Sequence, residues 1–217
     1  MKLRIKNLNI LKKNHIYNDA MEHDSCGVGL VASTEGLKSR KVVEKGIEAL
    51  KAVWLRGAID ADGKTGDGAG IHIEVASNFF IEKIENYGRK YDEGKICVGM
   101  IFLPRNDYNS QEKCKTFIET EILKNDFFIY RWRQVPINTN VLGIKAELTR
   151  PEITQILFSP KDKSLGGKVL ERKLYETRRK IEKECLKNNL NQFYICSSSS
   201  QSIIYKGMFL AEALSDF

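Results

Sequence analysis

The amino-acid sequence predicts an α+β fold, and three patterns carry that prediction. The stretches Ile71-His72-Ile73-Glu74-Val75 and Phe127 to Val135 alternate in polarity at the period of a strand. Lys168–Lys187 sets Leu170, Leu174, Ile181 and Cys185 at helical spacing, with a dense Lys/Arg/Glu face opposite. Ile96 to Leu103 is a continuous apolar strand pattern, stopped by Pro104. Strands and helices intermingle along the chain, with no internal repeat and no interdomain linker.

Residues 1–25 are polar, basic and aperiodic, so they read as a loosely packed leader, with the domain proper over 26–217. Cys26 to Ala32 is a short apolar run with glycines, the pattern of a buried strand. Ser39 suits the cap of a helix whose apolar positions are Val43, Ile47, Leu50 and Trp54. Arg56 to Gly70 holds five glycines in fifteen residues and is a loop. Ser77 begins a short helix through Phe80 and Ile84. Ser110 opens a longer one with Cys114, Phe117, Ile118 and Ile122 on one face. In the strand from Phe127, the residues Phe128, Tyr130 and Trp132 fall on one side. A strand is expected around Ile153–Phe158. Phe193–Cys196 and Ser202–Tyr205 read as two strands joined across a serine-rich turn.

With 217 residues, 42% hydrophobic and 29% charged, the chain is long enough to bury a sizeable core and is not of disordered composition. Its net charge of +7 raises the question of nucleic acid. The Lys and Arg residues, however, are scattered among 28 acidic ones, without a basic stripe carrying interleaved aromatics. A lysine-rich solvated surface is the expectation, with neither nucleic acid nor membrane as partner. Five cysteines, Cys26, Cys97, Cys114, Cys185 and Cys196, form no CxxC pair and no metal-ligand spacing. With no apolar signal segment at the start, they fit reduced thiols in the cytoplasm, and no metal site is expected.

Three binding motifs are approached by the glycine loop and missed. A phosphate loop requires four residues between Gly57 and Gly63-Lys64-Thr65, and there are five, with Asp60 and Asp62 set to repel phosphate. A calcium loop fails because Gly63 comes too early and Ile71 stands where a glutamate belongs. A dinucleotide fingerprint fails on the spacing of Gly66, Gly68 and Gly70, which lead into a strand. The glycines still permit close backbone approach to a ligand. Asp62 and Asp67 read as acceptors that shape the loop, and His72 as a packed or surface histidine on a strand. A free cysteine such as Cys26 is by type either a buried strand residue or, if ionised, a nucleophile.

The run Met21-Glu22-His23-Asp24-Ser25-Cys26-Gly27-Val28-Gly29-Leu30 is followed by Arg56-Gly57-Ala58, by Thr65-Gly66-Asp67-Gly68-Ala69-Gly70, and by Tyr205-Lys206-Gly207-Met208. Together these resemble the opening of the glutaminase domain of glutamate synthase large subunits, a class II glutamine amidotransferase of the N-terminal-nucleophile hydrolase superfamily. The resemblance covers residues 22–212. It implies a four-layer αββα sandwich and Cys26 as the nucleophile, exposed as a new N-terminus once a leader is removed. It implies glutamine as the substrate. For Arg56 it implies a role in binding substrate, while a salt bridge to Asp60 or Asp67 is the competing reading. Leu55 replaces the histidine usual before that arginine. The family's His-Ser-Arg-Phe-Ser-Thr-Asn and His-Asn-Gly-Glu segments come after the point reached by Phe217. The sandwich is therefore expected to be incomplete at its C-terminal end, with the oxyanion donors elsewhere. FMN and an iron–sulfur cluster are expected only in the synthase regions, and the partner is the remainder of such a large subunit or a separately encoded piece of it. A truncated, inactive remnant or interaction module is the other reading.

Overall fold

The computed structural model describes residues 27–53 and 57–217. The expected leader over 1–25, and the site residues Cys26 and Arg56, lie outside the described residues. The elements run α1 (Arg40–Ala52), β1 (Ala69–Glu74), α2 (Ser77–Glu85), β2 (Cys97–Leu103), α3 (Tyr108–Lys124), β3 (Phe127–Gln134), α4 (Ile144–Thr149), β4 (Glu152–Pro160), α5 (Gly167–Lys187), β5 (Tyr194–Ser199) and β6 (Ser202–Gly207).

Two antiparallel sheets stack face to face. The larger has the order β3-β4-β2-β5, and the smaller pairs β1 with β6. Central strand β2 alternates between two cores. Cys97, Ile101 and Leu103 point outward, where Cys114, Ile118 and Ile122 of α3 and Leu170, Leu174 and Ile181 of α5 cover them. Val98 and Met100 point inward, against Ile203 of β6 and against Phe80 and Ile84 of α2. Helix α1 packs against the small sheet. A Cβ added at its Gly46 would stand 3.3 Å from the Ile71 Cδ1 of β1. Helix, sheet, sheet, helix is the expected αββα order.

Local chemistry explains most boundaries. The carboxylate of Asp107 accepts from the Ser110 amide at 3.0 Å and its hydroxyl at 2.6 Å, so α3 begins at Tyr108, two residues before the expected Ser110. Thr177 sits on the buried face of α5, where its hydroxyl donates to the Lys173 carbonyl at 2.8 Å and is thereby satisfied. The outer face of that helix carries Arg172–Glu176 and Arg178–Glu182 pairs at the spacing that favours them.

Several expectations are corrected. Gly27–Ala32 forms no strand, and Val28 and Leu30 are 89% and 92% exposed. The run finds neither a ladder partner nor a covered face, and without these its apolar character does not make a strand. Tyr130 and Trp132 face opposite cores, because a bulge between Ile129 and Arg131 shifts the alternation by one residue. β5 and β6 are joined through Ser200–Gln201 as expected, but they pair in different sheets. Glu171 of α5 holds that crossing, accepting from the Ser199 hydroxyl at 2.8 Å and from the Ser200 amide at 2.9 Å. Helix α4 was not expected at all.

Candidate functional site

The glycine loop folds on its own carboxylates. The Asp60 amide donates to the Thr65 carbonyl, and the Gly63 amide to the Asp60 carbonyl, both at 2.9 Å. Gly63 takes a φ of 69°, which glycine adopts without strain. Asp62 accepts from the Thr65 hydroxyl at 2.6 Å and from the amides of Thr65 and Lys64 at 2.7 and 3.0 Å. The Thr65 hydroxyl first, then these amides, hold its carboxyl far below the ordinary range. Asp67 accepts from the Ala58 amide at 2.9 Å. Both aspartates are the loop-shaping acceptors that the sequence indicates. Asp60 is held by Lys145 of α4 at 2.6 Å, and that contact, followed by the Ala61 amide, depresses its pKa.

Two motifs that lie far apart in the sequence meet in space. Ala69, Gly70 and Ile71 of β1 stand opposite Gly207, Lys206 and Tyr205 of β6. A Cβ on Gly70 would lie 2.7 Å from both the Lys206 Cβ and the Tyr205 carbonyl, and one on Gly66 3.0 Å from the Phe209 backbone. At these two glycines the close approach is to another stretch of chain rather than to a ligand. Where the motifs meet, a cavity of about 660 Å³ opens. Residues 67–72 form one wall and 206–209 another, and Arg150, Ile153, Phe102 and Phe217 complete it.

Arg150, its side chain 16% exposed, is the cavity's most enclosed cation. Its Nε and Nη2 donate to Glu147 at 2.9 and 3.3 Å, and Arg105 reaches the same carboxylate at 2.6 Å. The Arg150 hydrogen bond, ahead of that from Arg105, lowers the Glu147 pKa. One carboxylate between two guanidinium groups leaves a net positive charge at this end of the cavity. Lys206, on the facing wall, donates to the Tyr194 hydroxyl at 3.0 Å. Such a cavity suits a small ligand bearing a carboxylate. His72, on β1, is exposed and lines the same cavity.

None of the four described cysteines offers a nucleophile here. Cys97, Cys114, Cys185 and Cys196 are all buried. Burial pushes the Cys97 and Cys196 thiols up, and a hydrogen bond to Cys114, then burial, does the same to Cys185. Of the predicted site residues, Cys26 and Arg56 have no described position. Their neighbours do: a Cβ on Gly29 would stand 4.0 Å from the Ala49 Cβ of α1, and Ala58 is tied to Asp67. Sequence reasoning missed Arg150, Glu147 and Lys145, which all belong to α4 or its end. The signal was there in Pro151, which bars a helix from continuing through the residue before it.

A family model described as glutamine amidotransferases class-II matches residues 26–217. The chain is 54% identical over 201 residues to a glutamate synthase [NADPH] large chain of Azospirillum brasilense, covering 93% of this chain and 13% of that one. It is 36% identical over 200 residues to a ferredoxin-dependent glutamate synthase of Pyropia yezoensis, covering 90% and 13%. Over 206 residues it is 31% identical to the glutamate synthase [NADPH] large chain of Bacillus subtilis, covering 95% and 13%. It thus spans about 13% of the length of each of these relatives. With the family match running almost end to end over an αββα sandwich, the chain belongs to the class-II glutamine amidotransferases, of the N-terminal-nucleophile hydrolase type.

Proposed function

We propose that this chain is the glutamine-hydrolysing portion of a glutamate synthase, with Cys26 as its nucleophile. The observation that carries this reading is that the family match begins at Cys26 itself. A thiol needs a base to attack at neutral pH, and an α-amino group, with a pKa of about 7.7–8.0, is suited to the task. Removal of residues 1–25 would give Cys26 that amine. Its sulfur then attacks the glutamine amide carbon, and the C–N bond breaks with the thiol's proton passing through the amine to the departing ammonia. Water cleaves the resulting thioester, releasing glutamate and restoring the thiol. Arg56 pairs with the substrate carboxylate. The ammonia serves the amination of 2-oxoglutarate in the remainder of a large subunit, or in a separately encoded piece of it, where FMN and an iron–sulfur cluster act. A cytoplasmic setting suits the reduced thiols.

Trapping with diazo-oxo-norleucine, a glutamine-like electrophile, followed by peptide mapping tests the assignment. The label is expected on Cys26 and is expected to disappear in Cys26→Ala; label on Cys97 or Cys196 in its place overturns it. Residues 26–217 alone are expected to turn over glutamine slowly, since loss of one oxyanion donor costs on the order of 10²–10³ in rate. The exposure of Val28 and Leu30 favours a second reading, an interaction module without catalysis. Absence of any label when the chain is joined to the rest of a large subunit selects that reading.

A further inference from the structure

A cluster of arginines lies across the face built by α2, the segment 87–89 and β3. The Arg131 guanidinium stacks on Tyr87, 3.2 Å from the ring centroid, and donates to the carbonyls of Lys83 and Trp132 at 3.1 and 3.0 Å. Arg133 donates to the Gln155 side chain at 2.7 Å and stands 5.4 Å from the Phe79 ring, which Lys83 also approaches, at 5.2 Å. Arg89 donates to the Ile129 carbonyl at 3.2 Å. Every one of these acceptors is neutral. Among the described residues no carboxylate forms an ion pair with Arg89, Arg131 or Arg133, and Glu82 pairs only with Lys83, at 3.6 Å. On α5, by contrast, Arg172, Arg178 and Arg179 each have a glutamate. The charges are close enough to act together: Arg131 foremost, then Arg133 and Lys83, favour the ionised Tyr87 phenol.

We propose that this face docks an acidic protein segment, whose carboxylates pair with Arg131 and Arg133 and whose apolar residues cover Phe79 and Tyr87. Each guanidinium has five N–H donors and uses only one or two here, so a carboxylate finds donors free. The carbonyls and rings already hold Arg131 and Arg133 half-buried in place, so little side-chain freedom is lost on binding. Phe79, Tyr87 and Phe128, 40%, 71% and 47% exposed, add apolar area beside the charge. Simple strand addition to β3 is disfavoured, because its Ile129 and Trp132 carbonyls already accept from arginines. A nucleic acid fits less well, since the cations form a compact knot beside Glu82 instead of a stripe that tracks phosphates.

Fluorescence anisotropy of a labelled alternating Glu-Leu peptide, its Gln-Leu counterpart and an oligothymidine of equal length tests this on the whole chain. The Glu-Leu peptide is expected to bind, to weaken with added salt, and to lose about tenfold in affinity in the double variant R131Q/R133Q. Should that variant fail to fold by circular dichroism, the exposed R89Q and the K83Q variants carry the test, each expected to lose about threefold. Equal binding of the Gln-Leu peptide, unchanged affinity in the folded variants, or tighter binding of oligothymidine overturns the proposal.

Discussion

Asp62 shows how much one loop carboxylate can organise. Its depressed pKa means that the ionised form is favoured by folding, so its contribution is whole above about pH 4 and drains away as the pH falls through the folded value. Asp62→Asn is therefore expected to speed hydrogen exchange at the Lys64 and Thr65 amides at neutral pH, and the effect should shrink in strong acid; equal rates at pH 7 refute it. Gly70 answers to sterics instead. An added methyl meets backbone and Cβ of β6 at 2.7 Å, so Gly70→Ala is expected to cost about 1–3 kcal/mol by overpacking. Calorimetry should show a melting temperature several degrees lower. Asp62 and Asp67 were legible in the sequence because aspartates in a glycine loop bond to nearby amides. Lys145 and Arg150 were not, because they reach the loop and the cavity from an element about eighty residues away.

At the scale of elements, α5 was readable almost to the residue, since its apolar stripe is long and its polar face unmistakable. Its packing should be measurable by contrast. Leu174→Ala removes a fully buried side chain between helix and sheet and is expected to cost about 2–5 kcal/mol. Leu186→Ala, on the same helix but 68% exposed, is expected to stay within about 0.5 kcal/mol. Similar urea midpoints for the two would contradict the packing described for α5. Strand β3 was readable as a strand but not in its facing, because a bulge leaves no mark on polarity: Tyr130 and Trp132 both look like core residues and both are, in different cores. The cap of α3 was misplaced for a related reason. Ser110 has the side chain of a cap, yet it is Asp107 that faces the free amide.

For the whole molecule, the four-layer order places four thiols inside. A disulfide reagent on the native chain is expected to find none of Cys97, Cys114, Cys185 or Cys196 rapidly, and to find all four after denaturation. Fast modification at Cys196, mapped by mass, contradicts the burial. The layers were legible only through the family likeness, since periodicity alone does not say which strands share a sheet, as the parting of β5 from β6 shows. The pairing of β1 with β6 has a further consequence, in time. Strands β2 to β5 and the helices covering them form one uninterrupted stretch of chain, whereas β1 must wait for β6, about 130 residues further along the chain. Contacts so distant in sequence pay the largest closure entropy and tend to form late. The larger sheet and its helices should assemble first, and the glycine loop with its cavity only when the chain closes. Gly70→Ala should accordingly accelerate unfolding while leaving the folding rate nearly unchanged, which makes the candidate site the last part of this molecule to come into being and the first to be lost.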